Sequence, residues 1–249
     1  MRKVLVFQHV AHKILGTLNP LMKQERLRVR YINFEREPEA SPTLDKYSGL
    51  VILGGHMGVY EAHKYTHIKV EMRLIEEALK KEIPILGICL GSQILAHVLG
   101  SEVYQAPEKE IGWYDIELTS EGRQDPLFAD FQQTEKIFQL HGDTFEIPKS
   151  CQHLATANGC TSQAFRYGDK AYGLQFHLEV DEPMILRWLD NPINQKEISR
   201  SNGKFSIEQI RAETSDRIGR SMELSRKTFM HFISLFGQKE RRVLLGSKD

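Results

Sequence analysis

A chain of 249 residues is long enough to bury a substantial core, as one large or two small domains. Its 33 Lys+Arg balance 33 Asp+Glu, so no whole-molecule field draws it to nucleic acid or to an anionic membrane surface. The 41% hydrophobic and 27% charged residues are an ordinary globular mixture. No apolar run approaches the roughly 18–20 residues of a membrane span.

The opening segment, MRKVLVFQHVAHK, holds only a short apolar run, Val4 to Phe7, with no small-residue cleavage site after it. It reads as a first buried strand. Further strands are expected at residues 28–34, 50–53 and 83–89, with a crossover helix over 66–81 where Ile68, Met72, Ile75 and Leu79 recur at helical spacing. After about residue 100 the runs shorten and alternate, predicting strands at 113–118, 136–140, 153–157, 162–166 and 171–177, partly antiparallel. Residues 183–190 and 207–236 read as helices, the second broken or bent near Gly219, with a loop over 191–204 around Pro192 and Gly203. Met222, Phe229, Met230, Phe232 and Phe236 are expected to pack that last helix, and the stretch from Gly237 onward reads as a frayed tail. The pattern is that of an α/β fold with a mostly parallel sheet. Cys89, Cys151 and Cys160 are odd in number and scattered, which points to a reducing cytoplasm.

The window Pro84-Ile85-Leu86-Gly87-Ile88-Cys89-Leu90-Gly91-Ser92-Gln93 runs a buried strand through Gly-x-Cys-x-Gly directly into a helical pattern. This is the cysteine form of a nucleophile elbow. The sharp turn strains the nucleophile's backbone, and glycines on either side remove the Cβ atoms that would collide. A thiol at the N-terminus of a helix is biased toward thiolate, and the N–H of Leu90 is left to face an oxyanion. A cysteine between glycines also occurs as a small packed residue, so a base is needed to complete the argument. The segment Gly173-Leu174-Gln175-Phe176-His177-Leu178-Glu179 supplies one: in extended backbone His177 and Glu179 share a face, so the carboxylate can hold one ring nitrogen and leave the other for Cys89.

Taken with Gly54-Gly55, these segments resemble the class I glutamine amidotransferases of the triad type, over roughly residues 1–189. Gly54-Gly55-His56-Met57-Gly58-Val59-Tyr60, Glu110-Ile111-Gly112-Trp113 and Leu140-His141-Gly142-Asp143 make the likeness greatest to the stand-alone, GMP-synthase-like members. The resemblance implies a three-layer, flavodoxin-like sheet with an antiparallel extension and C-terminal helices. A catalytic domain would span residues 1–190, with a helical extension over 191–249 packed on the same domain. It also implies a Cys89-His177-Glu179 triad, oxyanion donors at Gly55 and Leu90, and substrate contacts from Gln93, His141 and Asp143, the last two in a loop closing the glutamine pocket. The chain departs from relatives at His56 and Leu178, where proline is common; His56 adds a titrating group near the mouth of the site.

Glutamine hydrolysis through a cysteinyl thioester needs no metal or organic cofactor. His63 and His67 would share a helix face, but no further ligand occurs at a matching spacing, and they are expected at a solvated helix start. Gly16-Thr17 precedes a helix without the Lys-Ser/Thr of a phosphate loop. Three functions follow: a glutaminase passing ammonia to a separate synthetase or acceptor subunit, a γ-glutamyl hydrolase or peptidase, or a module that keeps the fold without turnover. The retained Cys, His and Glu argue against the third. Neither nucleic acid nor a membrane is an expected partner.

Overall fold

Parallel strands need a crossover between them, and the N-terminal half supplies these in order. The computed structural model describes residues 2–201 and 203–237. Strand β1 (Lys3–Gln8) leads through α1 (Leu18–Gln24) to β2 (Arg28–Asn33), and β3 (Gly49–Ile52) leads through α2 (His67–Lys80) to β4 (Ile85–Ile88) and at once into α3 (Leu90–Val98). The middle of the chain gives β5 (Val103–Leu118), β6 (Thr134–Phe145), β7 (Gln152–Ala157), β8 (Cys160–Tyr167) and β9 (Ala171–Leu174). Helices α4 (Glu182–Leu189), α5 (Pro192–Ser199) and α6 (Ile207–Ser234) follow. The nine strands of the described residues form one sheet in the order β2-β1-β3-β4-β9-β8-β7-β5-β6. The pairings from β2 across to β9 are parallel, and those from β9 across to β6 are antiparallel.

Side chains alternate across the central strands and bury two apolar layers. Val4, Val6, Val51, Leu86 and Ile88 face α1 and α6, packing on Leu18, Met22, Leu224, Phe229 and Phe232. Leu5, Phe7, Leu50, Ile52 and Ile85 face α2 and α3, packing on Ile68, Leu74, Ile75, Ile94 and Leu95. A third cluster joins Trp113 and Phe138 to Val180, Met184 and Trp188 beside the site described below. Of the aromatic and Met positions expected to pack the last helix, Phe229, Phe232 and Phe236 are buried, whereas Met222 is 43% exposed.

Several expectations are corrected. The loop over 191–204 contains α5: Asn191 accepts a hydrogen bond from the Ile193 N–H at 2.9 Å, and Pro192 begins the helix instead of preventing it. Helix α6 passes Gly219 without a break. A Cβ there would meet nothing within 4 Å, so this glycine costs helix propensity, about 1 kcal/mol, while buried neighbours hold the helix. Strands β5 and β6 run well beyond 113–118 and 136–140. His141 and Asp143 therefore stand on a strand, not in a loop. Strand β9 ends at Leu174, and His177 is held past its end by a single antiparallel bridge to Phe138. The tail expected beyond Gly237 lies outside the described residues.

Because Phe232 is fully buried between α6 and the sheet, Phe232→Ala is expected to lower stability by about 3–5 kcal/mol. The urea midpoint measures it, and a loss under about 1 kcal/mol would show that α6 is not part of the cooperative core.

Candidate active site

Strand β4 ends at Ile88, and Cys89 turns the chain into α3 with φ +53° and ψ −109°. Two glycines make this turn sterically open. A Cβ on Gly87 would lie 2.4 Å from the Gly91 carbonyl oxygen, and one on Gly91 would lie 2.1 Å from that of Ile52. The turn is fixed by the Cys89 N–H donating to the Leu174 carbonyl at 2.8 Å and by the Ser92 hydroxyl donating to the Cys89 carbonyl at 2.7 Å. The thiol is thus presented at the carboxyl end of the parallel strands, where open α/β sheets place their sites.

His177 reaches the same place from the far side of β4. Its N–H donates to the Phe138 carbonyl at 2.9 Å, and its ring Nδ1–H donates to Glu179 Oε1 at 2.7 Å. Its Nε2 makes no hydrogen bond among the described residues, so that nitrogen is free for Cys89. Trp188 of α4 packs edge-on against the imidazole at 4.8 Å between ring centroids. Glu179 is held through its own backbone: its carbonyl accepts from the Thr17 N–H at 2.9 Å, and a Cβ on Gly16 would lie 1.9 Å from that oxygen. The Gly16-Thr17 pair is a clamp on the segment that carries the carboxylate.

Burial alone pushes the Cys89 thiol up, but the Lys13 ammonium and the His177 imidazolium outweigh it and bring the thiol down to about 6. Burial likewise pushes His177 down, while the charges of Glu179 and of the thiolate carry it up to about 9. The two shifts have one direction: both favour thiolate and imidazolium over the neutral pair.

Cys89 lines a cavity of about 390 Å³ together with Lys13, Gly55, His56, Gln93, His141 and Asp143. The cavity also reaches Ile193, Asn194 and Glu197 of α5. Gly55 follows β3, and its N–H donates no hydrogen bond among the described residues. A Cβ on Gly55 would lie 2.5 Å from Leu90 Cδ2 and 3.1 Å from His9 Cβ, so this backbone packs closely against the elbow. Leu90 begins α3, where an N–H has no partner within the helix. Gln93 spends its amide N–H groups on the Asp143 carbonyl and Gln175 Oε1, each at 3.1 Å, and so ties β6 to the elbow. His141 pairs with Glu110 at 2.9 Å. Burial raises the Asp143 carboxyl, which stands at the cavity wall.

Two buried groups bring metal-type donor atoms within 4.8 Å of one another: His9, His67 and Glu71, and Glu110, His141 and Cys160. In the first the donors hydrogen-bond to each other, and in the second Glu110 takes His141 and Gln163 while Cys160 meets Thr144. Both read as hydrogen-bonded networks. His67 is therefore not at a solvated helix start: it is buried against Phe34 and Glu71, whereas His63 is exposed.

Residues 16–184 match the family model described as glutamine amidotransferase class-I. The chain belongs to the class I glutamine amidotransferases. A glutamine amidotransferase-like protein of Salmonella typhimurium, YfeJ, is 33% identical over 172 residues, covering 68% of this chain and 71% of that protein. A glutamine-hydrolysing GMP synthase of Lacticaseibacillus casei is 33% identical over 178 residues, covering 68% of this chain but only 33% of the synthase. Among solved structures, a glutamine amidotransferase from Thermotoga maritima superposes with a TM-score of 0.83 at 35% identity, over 94% of this chain and 98% of that one. The α/β sheet expected from the sequence is thus that of this family. No described helix is long and apolar enough to cross a membrane.

Three residues at this candidate site had no signal in the sequence. Lys13 is 7% exposed, its ammonium 5.1 Å from the centre of the Trp188 ring. Trp188 donates its indole N–H to the His12 carbonyl at 3.0 Å, which locks both beside His177. His9 lies beneath Gly54. Only the fold brings these residues, from the segment after β1 and from α4, together.

Cys89 is expected to react with iodoacetamide at pH 7 roughly tenfold or more faster than the other two thiols. Burial pushes Cys151 up to about 11 and also raises Cys160. Reactivity should rise with pH around a midpoint near 6, since the thiolate is present above it. A midpoint in the ordinary thiol range would contradict the ion pair.

Proposed function

We propose that this protein hydrolyses the side-chain amide of glutamine through a γ-glutamyl thioester on Cys89. The observation that carries this reading is the meeting, on one cavity, of a strained cysteine and the Gly55 backbone, with Leu90 next to that cysteine at the first position of α3 and a His177–Glu179 pair at 2.7 Å at the same end of the sheet. The Cys89 thiolate attacks the amide carbon, and the N–H groups of Gly55 and Leu90 hold the developing oxyanion. The His177 imidazolium, oriented by Glu179, gives its Nε2 proton to the departing nitrogen as the C–N bond breaks, releasing ammonia. The neutral imidazole then takes a proton from water, whose oxygen attacks the thioester carbon; glutamate leaves and the thiolate returns. Gln93, His141 and Asp143 shape the pocket that receives the substrate. No step calls for a metal or an organic cofactor.

The ammonia passes, in this proposal, to an ammonia-consuming synthetase on another polypeptide, in a reducing cytoplasm that suits three free cysteines. The glutamine hydrolysis of the similar GMP synthase agrees with this half-reaction. A second reading is favoured by the reach of the cavity to α5: a leaving amine larger than ammonia has room there, as a γ-glutamyl hydrolase would require.

Ammonia and glutamate release from glutamine, beside γ-glutamyl dipeptides, decides between the two. Cys89→Ala is expected to abolish release while leaving the circular dichroism spectrum unchanged, and retained turnover would remove Cys89 as the nucleophile. Glu179→Gln is expected to lower kcat roughly 10²- to 10⁴-fold. An unchanged rate would mean that another residue orients His177.

A further inference from the structure

Beneath the Gly54–Gly55 turn lies a set of charged side chains that the mechanism above does not use. His9, immediately after β1, and Glu71, on α2, are both fully buried. His9 Nδ1 stands 3.2 Å from the Gly54 carbonyl oxygen, and Nε2 stands 3.0 and 3.1 Å from the two oxygens of Glu71. His67 Nδ1 donates to Glu71 Oε1 at 2.9 Å from one turn earlier on α2, and its ring stacks on Phe34 at 4.7 Å. Both nitrogens of His9 therefore face acceptors, and the ring donates from both as an imidazolium. Burial works against that charge, but Glu71 outweighs it and raises His9.

A peptide group is planar and trans, so its C=O and N–H point in opposite directions. Fixing the Gly54 carbonyl from below consequently aims the Gly55 N–H upward, into the cavity that Cys89 lines. Glycine pairs have no Cβ to restrict rotation of the peptide between them. Nor could a side chain on Gly55 do so, because its Cβ would lie 2.5 Å from Leu90 Cδ2 and 3.1 Å from His9 Cβ. The orientation has to be imposed from outside the turn, and His9 is the side chain that hydrogen-bonds to it.

We propose that His9, braced by Glu71 and His67, is the positioning residue that sets the Gly54–Gly55 peptide so that its N–H serves as an oxyanion donor. The inference rests on the role given to Gly55 under the proposed function. A hydrogen-bonded cation behind the carbonyl also polarises the peptide, making the N–H on its far side a stronger donor.

Three variants of the full chain separate the two bonds of the ring. His9→Asn keeps an N–H near the Nδ1 position and drops the link to Glu71. His9→Gln keeps an N–H near the Nε2 position and drops the bond to Gly54, while His9→Phe drops both. Crystal structures of the wild type and His9→Gln are expected to show the Gly55 N–H turned from Cys89 in the variant alone. With glutamine, kcat should fall roughly 10²- to 10³-fold in His9→Gln and His9→Phe, with KM nearly unchanged, and should recover at least about tenfold in His9→Asn. The iodoacetamide rate at Cys89 should stay the same in all three, since alkylation forms no oxyanion. A Gly54–Gly55 peptide that keeps its orientation in His9→Gln would overturn the proposal, as would loss of alkylation rate in parallel with kcat. A peptide that turns while kcat holds would support the positioning role and refute Gly55 as the oxyanion donor.

Discussion

A cysteine held at φ +53° sits where an L-residue pays roughly 1–2 kcal/mol for the closeness of its Cβ to the backbone. That strain persists because the surroundings leave the turn no other path. Gly87 and Gly91 admit backbone on both sides, the Leu174 carbonyl holds the Cys89 N–H, and α3 begins at the next residue. From this one turn follow the height of the thiol above the sheet, the free N–H of Leu90 and the closeness of β3 to the elbow. The parallel half of the sheet exists, in functional terms, to bring β3, β4 and β9 to one edge at this point.

The second governing feature is electrostatic. A thiolate buried this deeply would not survive desolvation alone. Lys13 and His177 supply positive charge, and Glu179 holds the proton on His177. The Trp188 ring touches both, with the Lys13 ammonium over its face and the His177 imidazole against it. The antiparallel half of the sheet serves this arrangement too. Strand β6 accepts the His177 N–H through Phe138 and carries His141 and Asp143 to the cavity wall.

Much of this was legible in the sequence because the elbow is a local device. Gly-x-Cys-x-Gly after an apolar run specifies its own turn, and two-residue spacing alone puts His177 and Glu179 on one face. The expected strands of the first half hold because β-branched runs buried on both faces have few other uses. Elements whose signal depends on tertiary context were read less well. Pro192 looked like a loop marker but begins α5, and Gly219 looked like a break but lies on an open face of a helix held by its buried side. The first half of β5 carries exposed residues such as Gln105, Glu108 and Lys109, and the β6 segment from His141 to Thr144 has no apolar alternation, so these stretches are strand only because the two lie side by side. His9, Lys13 and Trp188 were silent because each comes from a segment whose own pattern is fully explained by packing.

The central claim is that Cys89 bonds covalently to the side-chain carbonyl carbon of the substrate. The most direct measurement is mass spectrometry of the full chain, quenched in acid during steady-state turnover of glutamine and then digested. The account predicts a mass gain of one γ-glutamyl group on the peptide carrying Cys89 and on no other cysteine peptide, lost when the sample is treated with hydroxylamine. Sustained ammonia release with Cys89 unmodified at every quench time, and an adduct on Cys151 or Cys160 instead, would contradict it.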